Sequence, residues 1–259
     1  AWIAGGDNWW DGEGNVAWDN EAGGLAVFGA DGGAGDATVT VDVSGVTARG
    51  ITFNEGYTYT LDGGTITLEG SATIEANVDA RIESAINAGT AVLTKTGPGT
   101  LELTGANTYS GTAVEGGTLV GYAGVGDTGS ILGNVDLSND SNVTFNQGAD
   151  GVYDGKISGD GSFTKTGAGT LVVTSEEHDY TGDATVSAGT LRVTGWLPMG
   201  TTVTVEDGGT LGGTGQAGAI DLLQGGTLAP GASVGTLIAD GDVTFGAGAI
   251  YEWEVADLG

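Results

Sequence analysis

Few residues of this 259-residue chain could carry chemistry, and most have one sign: 34 acidic against 6 basic side chains, with one histidine and no cysteine. Gly231-Ala232-Ser233-Val234-Gly235 has the Gly-x-Ser-x-Gly form of a nucleophile elbow. That device needs a strand-to-helix turn and a histidine base oriented by a carboxylate. Pro230 precedes the motif, no helix is predicted near it, and the sole histidine, His178, lies far off in sequence. The pentapeptide reads as a turn. Gly124-Val125-Gly126-Asp127-Thr128-Gly129 and Gly213-Thr214-Gly215-Gln216-Ala217-Gly218 match the dinucleotide fingerprint, which works only where a strand meets a helix N-terminus. With 53 glycines, chance matches are expected, and both read as turns.

Calcium is a closer match to the composition. Asp150, Asp154 and Asp160 cluster within eleven residues, and Asp31-Gly32-Gly33-Ala34-Gly35-Asp36 has the look of a Gly/Asp turn. Ca²⁺ takes six to eight oxygens from such carboxylates and carbonyls. Neither segment has the EF-hand or tandem nonapeptide pattern, and Asp in turns also accepts local backbone hydrogen bonds. Solvated turn acids are the favoured reading, so no cofactor is expected, and calcium at Asp150, Asp154 and Asp160 is the alternative.

The six cations are Arg49, Arg81, Lys95, Lys156, Lys165 and Arg192. A polysaccharide-cleaving enzyme would need one of them beside clustered carboxylates, and paired carboxylates could make a glycosidase. Lys95 and Lys165 stand at equivalent places in two copies of a repeat, however, which points to shared architecture rather than one active site. No catalytic residue is assigned, and the chain is read as non-enzymatic. A net charge of −28 repels phosphate backbones and anionic lipid, which excludes nucleic acid as a partner.

The elements that must position these residues follow from repetition. Leu93-Thr94-Lys95-Thr96-Gly97-Pro98-Gly99-Thr100-Leu101 continues through Asn107-Thr108-Tyr109-Ser110-Gly111 to Gly117-Thr118-Leu119. Phe163-Thr164-Lys165-Thr166-Gly167-Ala168-Gly169-Thr170-Leu171 continues through Asp179-Tyr180-Thr181-Gly182 to Gly189-Thr190-Leu191. The lysines are 70 apart, the tyrosines 71 and the closing threonines 72. Thr170, Thr190, Thr210 and Thr227 each follow Gly and precede Leu, at steps of 20, 20 and 17, the size of one solenoid coil. Runs such as Thr202-Val203-Thr204-Val205 and Val243-Thr244-Phe245 alternate, so one face is buried and one wet. Strands of three to five residues are expected, stacked about 4.8 Å apart with leucine over leucine. Roughly a dozen such coils make a rod of order 60 Å.

Residues 1–30 differ in composition, with Trp2, Trp9, Trp10, Trp18 and Phe28, and read as a cap over the first coil of a β-helix spanning 31–259. At the other end Tyr251, Trp253 and Val255 are expected on one half-buried strand face, with Glu252 and Glu254 opposite. Ala1 in place of Met suggests a processed chain or a fragment.

The two repeat copies, at 93–119 and 163–191, resemble the passenger-associated transport repeat, or autotransporter-associated β-strand repeat, of bacterial type V secretion passengers. Gly50-Ile51-Thr52-Phe53, Gly56-Tyr57-Thr58-Tyr59 and Gly225-Gly226-Thr227-Leu228-Ala229-Pro230-Gly231 are similar to other parts of such passengers. The second copy departs from the pattern at Ser175-Glu176-Glu177-His178-Asp179, where Gly-Ala-Asn is usual, and a longer turn is expected there. The resemblance implies an all-β, right-handed parallel β-helix, secreted or displayed at the surface of a Gram-negative bacterium through an outer-membrane β-barrel. No barrel pattern is seen in these residues. The function expected is structural, as a passenger stalk or adhesin segment. The alternatives are a self-assembling filament or surface-layer subunit and a carbohydrate-active enzyme. Copies of the chain itself and host or neighbour surface glycans are the expected partners.

Overall fold

The computed structural model describes residues 1–5, 9–10, 15–21, 23–29, 35–54, 56–124, 130–231 and 234–254. Among them there is no helix, and the strand ladders are parallel apart from the short Trp9–Trp10 and Asn15–Val16 pair. Residues 31–34, 125–129, 232, 233 and 255, on which several of the sequence expectations fall, lie outside the described residues. Two compact units are formed, 1–120 with 130–133, and 121–124 with 134–254.

In the first unit the chain alternates between two parallel ladders. Leu25–Phe28, Val46–Phe53, Ile66–Ala76, Val92–Thr96 and Gly111–Val114 stack in one; Gly35–Val41, Tyr57–Gly63, Ala80–Ile82, Thr100–Leu103 and Thr118–Gly121 stack in the other. Each strand pair is one coil, and registered pairing puts like on like: Ala26 over Ile51 over Ile74, and Leu101 over Leu119. All of these side chains are buried. The early coils are wider than the expected three to five residues, with strands of seven, eight, seven and eleven residues from Gly35–Val41 to Ile66–Ala76. A register shift between Ala48 and Gly50 accommodates a bulge in the longest pair.

Aromatic rings cluster near the start of this unit. Trp2 is fully buried, its ring 5.1 Å from Trp18, 5.4 Å from Trp9 and 5.7 Å from Phe28, mostly edge to face. Phe28 stacks in turn on Phe53 at 5.4 Å. The Trp2 backbone joins the ladder itself, donating to Thr40 and accepting from Asp42.

Among the described residues the second unit has three long ladders and a short parallel pair, Gln216–Ala217 with Ile238–Ala239. One holds Asn134–Leu137, Ile157–Gly159 and Asp179–Tyr180; the second runs from Asn142–Asn146 through Ser162–Thr166, Ala184–Val186, Thr202–Val205 and Ala219–Leu222 to Val243–Phe245. The third carries Gly151–Tyr153, Thr170–Val173, Gly189–Val193, Gly209–Gly213, Thr227–Pro230 and Ile250–Tyr251. Leu171, Leu191, Leu211 and Leu228 pair in register as an internal column, with Thr170, Thr190, Thr210 and Thr227 beside them. Each buried leucine contributes roughly 1.5–3 kcal/mol by removal from water.

The last described coil differs from expectation. Val243 and Phe245 pair with the buried Ile220 and Leu222, yet they are 39% and 49% exposed. The expected half-buried strand is reduced to Ile250–Tyr251, with Tyr251 52% and Trp253 70% exposed. Alternation sets which way a side chain points, but burial also needs a neighbour on the far side, and no described strand stacks on these.

Candidate functional site

The two repeat lysines are core residues. Lys95 lies on Val92–Thr96 with its Cα opposite Ile74 on one side and Val114 on the other, both fully buried, and is itself fully buried. Lys165 is likewise fully buried between Phe145 and Val186. An alternating strand thus places an ammonium where an apolar group is usual, and a buried charge persists only when paired.

The partners are turn carbonyls. Lys95 Nζ donates to Gly97 O at 2.7 Å and Gly99 O at 2.5 Å in its own turn, and to Gly116 O at 2.8 Å in the following coil. Lys165 Nζ donates to Thr166 O and Gly167 O, both at 2.8 Å, and to Ala188 O in the following coil at 2.9 Å. Each ammonium spends its three protons on three oxygens. Burial pulls both amines down to about 8, with Asp79 near Lys95 and Asp150 near Lys165 opposing that.

Glycine completes the device. Gly117 has φ +62°, and an added Cβ would lie 2.5 Å from Gly99 O and 2.7 Å from Lys95 Nζ. Gly189, with φ +64°, is its counterpart, 2.4 Å from Gly167 O and 2.6 Å from Gly169 O. The Lys-Thr-Gly-x-Gly-Thr-Leu stretch and the later Gly-Thr-Leu therefore form one clasp between successive coils. Sequence reasoning had the equivalence of the lysines but not their burial. The signal was their inward position in an alternating strand.

The other cations are on the outside. Arg81 bridges Glu83 at 2.8 Å and Glu102 at 3.0 Å, and Lys156 pairs with Asp179 at 2.7 Å. Arg192 lines an open groove of about 620 Å³ with Tyr251, Glu252, Trp253 and Glu254.

Asp150 Oδ1 accepts the Thr170 N–H at 2.7 Å, and hydrogen bonding to Thr170, with Arg192 and Lys165 nearby, holds its carboxyl below the usual value. Asp160 Oδ1 accepts the Asp140 N–H at 3.3 Å. Asp154 follows Gly151–Tyr153 at an exposed position. Among the described residues no group of three or more acidic or histidine side chains is placed to hold a metal ion.

His178 occupies the place in the second repeat that Asn107 has in the first, and it is buried. Its Nδ1 accepts the Ile157 N–H at 3.0 Å, and burial lowers its pKa to about 4. With that lone pair engaged, the ring is poorly suited to act as the base of a serine hydrolase. Ser233 lies outside the described residues. Gly213–Gly218 includes the short strand Gln216–Ala217 and no helix, so it has no phosphate-binding N-terminus.

Residues 93–120 and 163–193 match the passenger-associated-transport-repeat family. The chain is 35% identical over 223 residues to the adhesin BmaC autotransporter of Brucella suis biovar 1, a match covering 74% of this chain and 6% of the adhesin. It is 43% identical over 103 residues to an extracellular serine protease of Serratia marcescens, covering 40% of this chain and 10% of the protease. The chain thus spans a tenth or less of these curated relatives. No solved structure matches it. Such passengers are secreted or surface proteins of Gram-negative bacteria. With two matched repeats whose lysines clasp successive coils of a parallel stack, this chain is a β-helix of the autotransporter passenger type.

Proposed function

We propose that this chain is a structural segment of a surface-displayed or secreted adhesin, a spacer whose coils carry an adhesive part outward from an outer-membrane β-barrel in the full protein. The observation that carries this reading is the lysine clasp, which ties each repeat to the coil after it through main-chain oxygens rather than through a reactive group. The similarity to an adhesin supports it, and the segment is read as non-enzymatic even though another relative is a protease. Folding coil by coil, with each rung templating the next, suits delivery of a chain from one end.

The test exchanges this segment, in the full-length protein displayed on cells, for unrelated coils of equal number. Unchanged surface level and unchanged adhesion are expected of a spacer. Lost adhesion at equal surface level would show that the segment itself recognises a ligand.

A second reading, self-association, draws on the exposed inward positions of the last described coil, Phe245 and Tyr251. Sedimentation of the purified chain across a concentration series distinguishes it: a concentration-dependent dimer removed by Phe245→Lys supports association, and a constant monomer rejects it.

A further inference from the structure

The two repeats fill one position differently, and only one of the two residues can change its charge. In the first, Asn107 ties a coil to both neighbours: Oδ1 accepts the Ile86 N–H at 2.9 Å, and Nδ2 donates to the Ser130 carbonyl at 3.2 Å. The Tyr109 hydroxyl donates to the same carbonyl. In the second, His178 Nδ1 accepts the Ile157 N–H at 3.0 Å, which reproduces the tie to the preceding coil. The ring makes no tie to the following one. Its Nε2 is buried without an acceptor, and it is the Tyr180 hydroxyl that meets the Thr201 side chain there.

An asparagine oxygen accepts at every pH, whereas Nδ1 of imidazole accepts only while the ring is neutral. A ring accepting at Nδ1 already carries its proton on Nε2, so the second proton must enter at Nδ1. The new N–H then faces the Ile157 N–H, donor against donor, and leaves a charge where His178 is 8% exposed and Ile157 fully buried. The surroundings do little to hold that charge. Burial lowers the ring's pKa to about 4; Asp179 opposes this, but its carboxylate is engaged by Lys156 at 2.7 Å, and Lys156 disfavours a charged ring. Asp154 on the preceding turn and Glu176 and Glu177 on the ring's own turn are exposed, and residues 196–201 of the following turn bring no titratable side chain. Tyr180, with its ring centroid 6.3 Å away, is kept protonated by burial.

The rung that depends on this contact is short. Asp179–Tyr180 pairs with Ile157–Gly159 and is the last strand of its ladder among the described residues. Main-chain bonds from Thr174 to Tyr153 O at 3.1 Å and from Thr181 to Gly159 O at 2.9 Å bracket the turn, and the imidazole attaches it between them. We propose that His178 is an acid-operated latch: protonation at Nδ1 detaches the turn 174–181 from the Ile157 strand and opens the second repeat at this seam, while Asn107 keeps the equivalent seam of the first repeat closed. The opening is local, because the Lys165 clasp elsewhere in the same repeat survives acid. Its amine only gains charge as pH falls, and the carbonyls it holds do not titrate. A short rung held by few bonds is the kind of unit that opens without global unfolding.

Hydrogen exchange of the purified chain at pH 7.5 and pH 4.5, corrected for intrinsic rates and read by mass spectrometry, tests the latch. Opening of 174–181 should rise about seventyfold between those pH values, as linkage requires of a group moved from about 6.5 to about 4. The equivalent segment 104–110 should change less than about threefold. His178→Asn should remove the difference between the repeats. By NMR the sole imidazole of the wild-type chain should titrate near pH 4, together with loss of protection at the Ile157 amide, a measurement that does not require the variant to fold. A midpoint near 6.5, equal loss of protection in both repeats, or the same loss in His178→Asn would overturn the proposal. None of these outcomes bears on the spacer reading, which coil exchange tests on cells.

Discussion

Lys95 Nζ reaches the Gly116 carbonyl across 2.8 Å, from one coil of the first repeat to the next, and Lys165 makes the same reach to Ala188 at 2.9 Å. A charged donor holding three carbonyls of two turns sets both turns at once. The apolar columns around it resist separation but do not by themselves choose a turn geometry.

Lys95→Met and Lys165→Met keep much of the volume and remove the donor. Three carbonyls then lose a partner in each variant, and a loss of about 2–4 kcal/mol is expected in denaturant unfolding. A loss below about 0.5 kcal/mol would show that the clasp is incidental. The sites lie in different repeats, so their effects should add.

Gly117→Ala and Gly189→Ala test the other half of the clasp. The backbone there is left-handed and the space is taken by main-chain oxygen, so strain and clash act together. A cost of about 2 kcal/mol or more is expected. Gly200→Ala, at a glycine with no atom within 4 Å of an added Cβ, is the control and should be nearly silent.

Leu191→Ala removes a fully buried member of the column between Leu171 and Leu211. The cavity left by an incompletely collapsing coil stack should cost about 2–5 kcal/mol. Thr190→Ala, on the outward line beside it, should cost under about 1 kcal/mol. Equal losses would deny the leucine column its role.

Stability should fall as acid protonates His178. Its pKa is lowered from 6.5 to about 4 by burial, with Asp179 opposing and Lys156 assisting. Between those values the unfolded chain binds more protons. The neutral ring's contribution is therefore whole above about pH 6.5 and is lost as pH falls to 4, by about 3 kcal/mol. Comparing wild type with His178→Asn at pH 7 and pH 4.5 isolates this from the carboxylates. If both lose stability equally, the histidine is not the sensor.

Asp150→Asn bears on the sequence-based expectation of calcium. Asp150 already serves the Thr170 N–H. The variant's melting temperature should differ from wild type by the same amount with and without millimolar calcium. A difference that appears only with calcium would assign the ion to this turn.

The repeated Lys-Thr-Gly-x-Gly-Thr-Leu stretches made the coil architecture legible, because a parallel stack needs like residues at one spacing and the Gly-Thr-Leu steps supply it. The leucine column was legible for the same reason. Burial at the last described coil was not. Phe245 and Tyr251 alternate correctly, but whether an inward position is covered depends on a strand distant in sequence.

The role of His178 was equally hidden. As a letter it marked a departure from the pattern and suggested a longer turn. Only the fold shows that Nδ1 reproduces the Asn107 contact while Nε2 is left without an acceptor. Sequence by itself determined the fold class, the coil spacing and the equivalence of the lysines, since these follow from local periodicity and repetition. Tertiary structure decided that those lysines are buried, which carbonyls they hold, and that His178 takes the place of Asn107 in the second repeat. Such facts depend on which oxygen of a neighbouring coil comes within about 3 Å of a donor, a distance set by stacking and not by the order of residues along the chain.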